Sequence, residues 1–389
     1  MCALLMSLVA LSIDSMLPAL TTIGAELGAG SENRAQLVVS AFFLGLGLGQ
    51  MFYGPLSDRF GRKPAIQVGL GIFVLGSVLA IFSTSFPMML AGRLLQGLGV
   101  AGPRIVTVAM VRDLYSGAAM ARIMSLVMTL FILVPTVAPA IGQTILLLVS
   151  WRWIFGVLLV VALIGWVWLA ARQAETLKPE YRRPFSTIAI TRGLVETFRC
   201  RIAIGYALAT GMVTGAFFAF LGTAAQMLQV QYDLGVLFPA FFAVLALTQG
   251  GAFLLNSRLV MRFGMKLLTR IAIIGVIVAA SAFFLAAAAA GGHPPLWSLM
   301  LYLLFTFFCV GLLFGNLNAL AMEPLGHLAG IAASVIGTVT TLLSTLLGAL
   351  IGLAYNGTVL PLVGGFATLG TFSLAAMLWA EGKKRLPST

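Results

Sequence analysis

Apolar runs of membrane length, separated by short polar turns, fill this chain from end to end. A helix needs about 20 mostly apolar residues to cross the hydrocarbon core of a bilayer. Windows of that size fall at 2–23, 35–56, 64–85, 87–110, 120–148, 152–172, 202–228, 234–256, 267–290, 296–321, 328–352 and 358–380. The pattern predicts an all-α integral membrane protein with twelve transmembrane helices. The longest polar stretch, at about 173–200, divides them six and six. The expected domains are an N-terminal bundle at 1–172, a central loop at 173–200, and a C-terminal bundle with a short tail at 201–389.

The basic residues alternate with the spans. One set of turns holds Arg59, Arg62 and Lys63, then Arg112 and Arg122, the seven Lys and Arg of 172–201, Arg258, Arg262, Lys266 and Arg270, and finally Lys383, Lys384 and Arg385. That set carries nineteen basic residues, whereas the other carries only Arg34 and Arg152. The positive-inside rule then puts both termini and the central loop in the cytoplasm. A missed span would scramble this alternation, so the charges support the count of twelve.

Composition agrees. The chain is 60% hydrophobic and 9% charged, against about 25% charged residues in a soluble domain. The net charge of +12 follows from the loop bias, and nucleic acid is not needed to explain it. Cys2, Cys200 and Cys309 are too scattered for a metal or disulfide pattern. No metal or cofactor is expected. The sequence has no H-E-x-x-H, G-x-S-x-G or phosphate loop, so an enzyme is not expected. A cleavable signal peptide is not expected either, because the first segment is long, lacks a basic start and carries Asp14.

The turn after the second span reads GPLSDRFGRK, Gly54 to Lys63. Gly54 and Gly61 allow close packing and tight turning. Arg59 and Arg62 can reach acids on neighbouring helix ends, the nearest candidate being Asp113 in VRDLY. A partial copy follows the eighth span, where Arg262-Phe263-Gly264 repeats Arg59-Phe60-Gly61 and Lys266 matches Lys63. Met261 replaces Asp58 in the copy. The shared topological position argues for parallel repeats. The ten residues resemble the signature loop of the major facilitator superfamily of transporters. That resemblance implies two pseudo-symmetric six-helix bundles with a small-molecule substrate. It also implies a gating latch made of Gly54, Asp58, Arg59, Gly61, Arg62 and Asp113. In such a latch the acid caps a helix of the second bundle, here near Gly326 to Gly330, where the helix dipole favours negative charge. The other reading of the loop is an orientation anchor with solvated charges.

Two ionisable residues lie deep in spans, at a cost of about 2.5–3.5 kcal/mol each on insertion scales. At 1.5 Å per residue, Asp14 sits roughly 13 Å and Arg93 roughly 9 Å from the outer ends of the first and fourth spans. Similar depths let them meet. Arg93, Gln96, Gly97 and Val100 share a helical face, and Arg104 extends that stripe inward. Arg104 either lines a cavity floor or snorkels to the cytoplasm. The R-x-x-Q-G run from Arg93 to Gly97 resembles the superfamily's fourth-helix motif, which is linked to proton coupling in drug antiporters. LSIDSMLPAL around Asp14 and EPLGHLAGIAASVIGT at Glu323 to Thr338 resemble the bicyclomycin/chloramphenicol-resistance (Bcr/CflA) branch of efflux transporters. Asp14 and Arg93 are thus candidates for proton coupling, and a static structural pair is the alternative.

The fifth span carries FILVPTVAPAIGQ, with Pro135, Pro139 and Gly142 as a kink that leaves carbonyls free. It resembles the Gly- and Pro-rich antiporter motif but has Ala138 where the motif has Gly. Cavity and substrate candidates are Gln96, Arg104, Phe131, Thr214, Phe217, Asn316 and Asn318. Mid-membrane polar groups of the second half are all neutral and are surrounded by phenylalanines. This argues for apolar or aromatic cargo. The expectation is a monomeric, proton-coupled multidrug efflux transporter in a bacterial cytoplasmic membrane, exporting chloramphenicol- or bicyclomycin-like compounds. A proton symporter importing a nutrient on the same fold is the alternative.

Overall fold

The computed structural model describes the backbone of residues 1–115, 117–178, 180, 182 and 187–382, and the side chains of these except Glu32, 117–132, 187–192 and 326–329. Among the described residues the chain is helical, with no strand. The helices are α1 (Cys2–Asp14), α2 (Leu20–Glu26), α3 (Leu37–Phe60), α4 (Arg62–Ile81), α5 (Phe86–Leu114), α6 (Gly117–Leu148), α7 (Arg152–Arg172), α8 (Thr187–Arg199), α9 (Arg201–Ala225), α10 (Phe238–Phe263), α11 (Met265–Ala289), α12 (Leu296–Met322), α13 (Ala329–Leu353) and α14 (Leu360–Glu381). Eleven helical stretches among the described residues are long and apolar enough to cross a membrane. The 32-residue α6 adds a twelfth apolar helix.

Two local features differ from the expected pattern. The first span is not one helix, because α1 ends at Asp14 and a short 3-10 turn, Leu17–Ala19, leads into α2. Pro18 has no N–H to donate to the Asp14 carbonyl four residues back, so the helix breaks there. Within the stretch expected as a central loop, Thr187–Arg199 forms the helix α8.

The chain forms two compact units. The first is Met1–Ser186 with Phe220–Leu247 and Gly352–Gly357, and the second is Thr187–Ala219, Thr248–Ile351 and Thr358–Thr389.

In the first unit α5 is the central post, packed against α3 on one side and α4 on the other. Its sequence explains how both neighbours come so close. A Cβ on Gly97 would lie 1.9 Å from the Phe42 carbonyl oxygen of α3, and one on Gly45 would lie 2.0 Å from the Leu94 oxygen of α5. On the other face, a Cβ on Gly99 would meet the Phe73 nitrogen of α4 at 2.4 Å. Small residues at such crossings are how membrane helices gain packing without a hydrophobic driving force. α1 packs against α5, α6 and α7. Elsewhere in this unit, Asn33 donates to the Leu353 carbonyl at 3.3 Å and to the Tyr355 carbonyl, while Tyr355 Oη donates to Gln231 at 2.9 Å.

In the second unit α11 packs against α12 and α14. α9 and α13 meet through Ser344, which donates to the Gly211 carbonyl at 2.9 Å. The partial repeat has a structural counterpart. Gly61 turns α3 into α4 at φ 106°, ψ 161°, and Gly264 turns α10 into α11 at φ 76°, ψ 156°. Both backbones are in a region that favours glycine, so the same turn is built twice.

The crossing of α3 and α5 gives a test. In Gly97→Ala the new methyl group meets backbone, which cannot swing aside, so the melting temperature in detergent should fall by several degrees, consistent with overpacking costs of about 1–3 kcal/mol. Gly251→Ala is the control. Nothing lies within 4 Å of a Cβ there, and a helical Gly→Ala change should leave stability unchanged or raise it by up to about 1 kcal/mol. Equal melting of the two variants would contradict the packing described.

Candidate functional site

Buried polar atoms in a membrane protein need partners within the protein, so the partners of Arg93 define the first region. Its side chain is fully buried on α5. Nε donates to the Val38 carbonyl of α3 at 3.2 Å, and Nη1 donates to Gln96 Oε1 at 2.8 Å. Gln96 Nε2 in turn donates to Ser77 Oγ on α4 at 2.8 Å, and Ser77 donates to its own helix at the Phe73 carbonyl, 2.9 Å away. The guanidinium lies over the ring of Phe42 at 4.5 Å and near that of Phe155 at 5.8 Å. Nη2 has no hydrogen-bond partner among the described residues. Three helices thus hold one cation by directional bonds and aromatic faces.

Asp14 stands apart from this network. It is 5% exposed at the break that ends α1. Neither it nor Arg93 takes part in an ion pair among the described residues. The expected meeting of Asp14 and Arg93 is therefore not found. The reason is local: the Val38 carbonyl and Gln96 already fix two edges of the Arg93 guanidinium. The break itself is buttressed by α6. A Cβ on Gly142 would lie 1.7 Å from the Ser15 carbonyl oxygen, so α6 presses directly on the turn beside Asp14. α6 runs on through both Pro135 and Pro139.

The turn from Gly54 to Lys63 holds a second polar cluster. Arg62 reaches Asp58 at 2.5 Å, Ser57 Oγ at 2.8 Å and Asp113 at 2.9 Å. Arg59 is not part of this cluster and lies over the Phe60 ring at 5.0 Å. Gly54 contributes its carbonyl, which accepts from Ser57 Oγ at 2.9 Å. Glu175, just after α7, was missed by the sequence reading. Its two oxygens accept from the backbone N–H groups of Arg62 at 2.9 Å and Lys63 at 3.1 Å. An acid at a helix N-terminus satisfies orphan donors and matches the dipole. The signal was available: the Gly61 turn starts α4 with no capping side chain of its own, so an acid must come from elsewhere. The partner expected for Asp58 falls largely at 326–329, outside the described side chains.

At the other end of the first unit Glu26 is clamped by Arg152 at 2.6 Å and by Trp151 Nε1 at 2.5 Å. Beside it opens a cavity of about 630 Å3 whose lining includes Thr21, Thr22, Gln143 and Gln229.

The remaining candidates scatter. Arg104 is half-buried further along α5, and Thr214 is half-buried on α9. Phe217 meets Phe307 at 5.6 Å and Phe314 at 5.7 Å, both edge to face. Asn316 is 3% exposed and paired with Asn256, whereas Asn318 is exposed. Phe131 lies outside the described side chains. Ser77 and Asn256 were also missed, because a lone serine or asparagine inside an apolar helix has no distinguishing spacing.

The chain is 31% identical over 349 residues to the uncharacterized MFS-type transporter YdgK of Bacillus subtilis, covering 88% of this chain and 85% of that protein. It is 30% identical over 329 residues to the bicyclomycin resistance protein homolog of Haemophilus influenzae, covering 84% and 81%. The fold is also similar to the xylose transporter XylE from E. coli in its partially occluded inward-open conformation, with a TM-score of 0.76 at 14% identity over 100% of this chain and 98% of that one. The family profile of the Major Facilitator Superfamily matches residues 2–349, and with eleven membrane-length apolar helices among the described residues behind that match, this chain belongs to the Major Facilitator Superfamily and is a multi-pass membrane transporter, not an enzyme.

Proposed function

We propose that this chain exports small apolar or amphipathic compounds of the chloramphenicol or bicyclomycin type in exchange for protons, by alternating access. On this reading it works as a monomer in a bacterial cytoplasmic membrane, with both termini in the cytoplasm. The observation that carries the proposal is Asp14: a buried carboxyl group at a helix break, without a hydrogen bond or ion pair among the described residues. A group so placed has no bond among the described residues to lose when its charge changes, so gain or loss of one proton acts directly on the break. Intramembrane acids of this kind commonly mark proton relays. The similarity to the bicyclomycin resistance protein homolog of H. influenzae supports an antibiotic as cargo.

The cycle follows from these parts. Asp14 takes a proton from outside while the cavity faces outward. Loss of its charge lets the break repack against Gly142 and α6. The protein then opens inward, releases the proton and takes up cargo. Moving one charge across the membrane supplies about 2.3 kcal/mol per 100 mV. Arg93, held rigidly by Val38, Gln96 and the aromatic rings, supplies a fixed positive charge that biases Asp14 through space. The Asp58–Arg62–Asp113 cluster acts as the gating latch, and Glu175 holds the start of α4 beneath it.

Two measurements test this. In proteoliposomes, Asp14→Asn should remove export driven by a proton gradient while the melting temperature stays near that of the wild type; gradient-driven export at the wild-type rate would sink the coupling role. An efflux-deficient bacterial host expressing the wild type should gain resistance to chloramphenicol, and the same host expressing Asp14→Asn should not. Separately, Glu175→Ala should lower stability by about 0.5–2 kcal/mol, the usual cost of losing a helix cap, read as a lower melting temperature in detergent. No change in melting would remove Glu175 from the latch.

A further inference from the structure

In the second unit one pair of amides is only half satisfied. Asn256 Nδ2 on α10 donates to Asn316 Oδ1 on α12 at 3.0 Å, and Asn316 Nδ2 donates back to Asn256 Oδ1 at 2.9 Å. A carboxamide has two N–H donors and two acceptor lone pairs. The closed pair uses one of each from each side chain. One N–H and one lone pair per amide therefore remain without a protein partner among the described residues. In a closed amide pair the spare N–H of one member lies beside the spare lone pair on the oxygen of the other. Each flank is then a donor next to an acceptor, which is the pattern that another amide edge complements.

One flank is open. Asn316 is buried, but Asn256 is half-exposed. Gly315 is exposed, and a Cβ there would meet only Asn256 Nδ2, at 3.9 Å. No side chain from that position covers the pair. An amide with unused donors and acceptors is costly against hydrocarbon, so the open flank belongs to a water-accessible surface. Both residues lie about 10 Å inside the ends of their helices.

An aromatic wall adjoins the pair. Phe253 precedes Asn256 by three residues, on the same face of α10. It stacks on Phe314 of α12 with centroids 6.4 Å apart and planes 27° apart, and both rings are half-exposed. Phe314 also meets Phe217 edge to face. A flat apolar surface thus ends in a donor and acceptor couplet.

We propose that the Asn256–Asn316 pair and the Phe253–Phe314 wall form a cargo subsite for uncharged compounds with a carboxamide, lactam or imide edge beside an aromatic or apolar ring. The apolar ring lies on the phenylalanines, and the amide edge docks on the open flank without breaking the pair. This specificity rests on the export reading above.

The experiment compares two probes in proteoliposomes with a proton gradient: 4-phenyl-2-pyrrolidinone, which has a free lactam edge, and its N-methyl derivative, which lacks the donor. Wild-type protein should export the free lactam about ten-fold better, the effect of one or two net hydrogen bonds. Asn256→Leu should remove that preference by lowering export of the free lactam alone. The wild-type comparison stands even if the variant fails to fold. Equal export of the two probes by the wild type, or an equal fall for both in Asn256→Leu, overturns the subsite. Export of chloramphenicol with neither lactam moved overturns the subsite and leaves the export reading intact. Export of no compound at all overturns that reading, and the subsite with it.

Discussion

A guanidinium carries five N–H donors and a permanent charge, and hydrocarbon can satisfy neither. Much of the first unit is organised around that demand at Arg93. Its Nε reaches the Val38 carbonyl only because α3 lies almost against α5. That closeness depends on Gly45 and Gly97, where even a methyl group would overlap backbone. On the opposite face Gly99 brings α4 near enough for Ser77 to hold Gln96. The serine hydroxyl has already spent its proton on the Phe73 carbonyl. It can therefore only accept from Gln96, and this orients the amide with its oxygen toward Arg93. Glycine packing, helix crossing and charge burial are one constraint seen at three scales.

The same logic explains why Asp14 sits where it does. Pro18 has no N–H to give the Asp14 carbonyl, and the first span breaks there. Irregular backbone at membrane depth is tolerated where protein covers it, and here α6 does so through Gly142. The contact is close: a Cβ on Gly142 would lie 1.7 Å from the Ser15 carbonyl oxygen. On the proposed reading, a charge change at the edge of this break is the small local event that is converted into movement. A carboxyl group locked in an ion pair with Arg93 would have much less leverage, since the pair would resist every change of charge.

The spans, their number and the doubled glycine turn were legible in the sequence because length, hydropathy and a short polar motif each mark them directly. The Arg62 cluster was legible in part: Asp113 was found from its place at a helix end, whereas Glu175 was hidden in a linker with no periodicity. The Asp14–Arg93 pairing was inferred from depth alone. Depth fixes height along the membrane normal but says nothing about rotation, and rotation decided the matter by turning Arg93 toward Val38 and Gln96. Asn256 and Ser77 were invisible for a different reason. A neutral polar residue becomes informative only when its partner is known, and both partners lie on other helices. The break at Pro18 was in plain view, but a proline inside a spanning helix often kinks it without ending it.

The two ends of the sequence divide their chemistry. Among the described residues, the acid and the two arginines set deep in spans, Asp14, Arg93 and Arg104, all fall in α1 and α5. α9, α10 and α12 offer neutral amides, hydroxyls and phenylalanines at comparable depth, as the ring contacts of Phe217 and the Asn256–Asn316 pair illustrate. Charge is expensive in hydrocarbon, and on the proposed reading it sits where a charge must change or be sensed. Neutral hydrogen-bonding groups on an aromatic wall cost less and can read cargo without fixing its charge. On the proposed reading, energy coupling therefore belongs to the N-terminal helices and recognition mostly to the C-terminal ones. This division lets cargo range vary through residues such as Asn256 and Phe253, without disturbing the glycine-packed scaffold that holds Arg93.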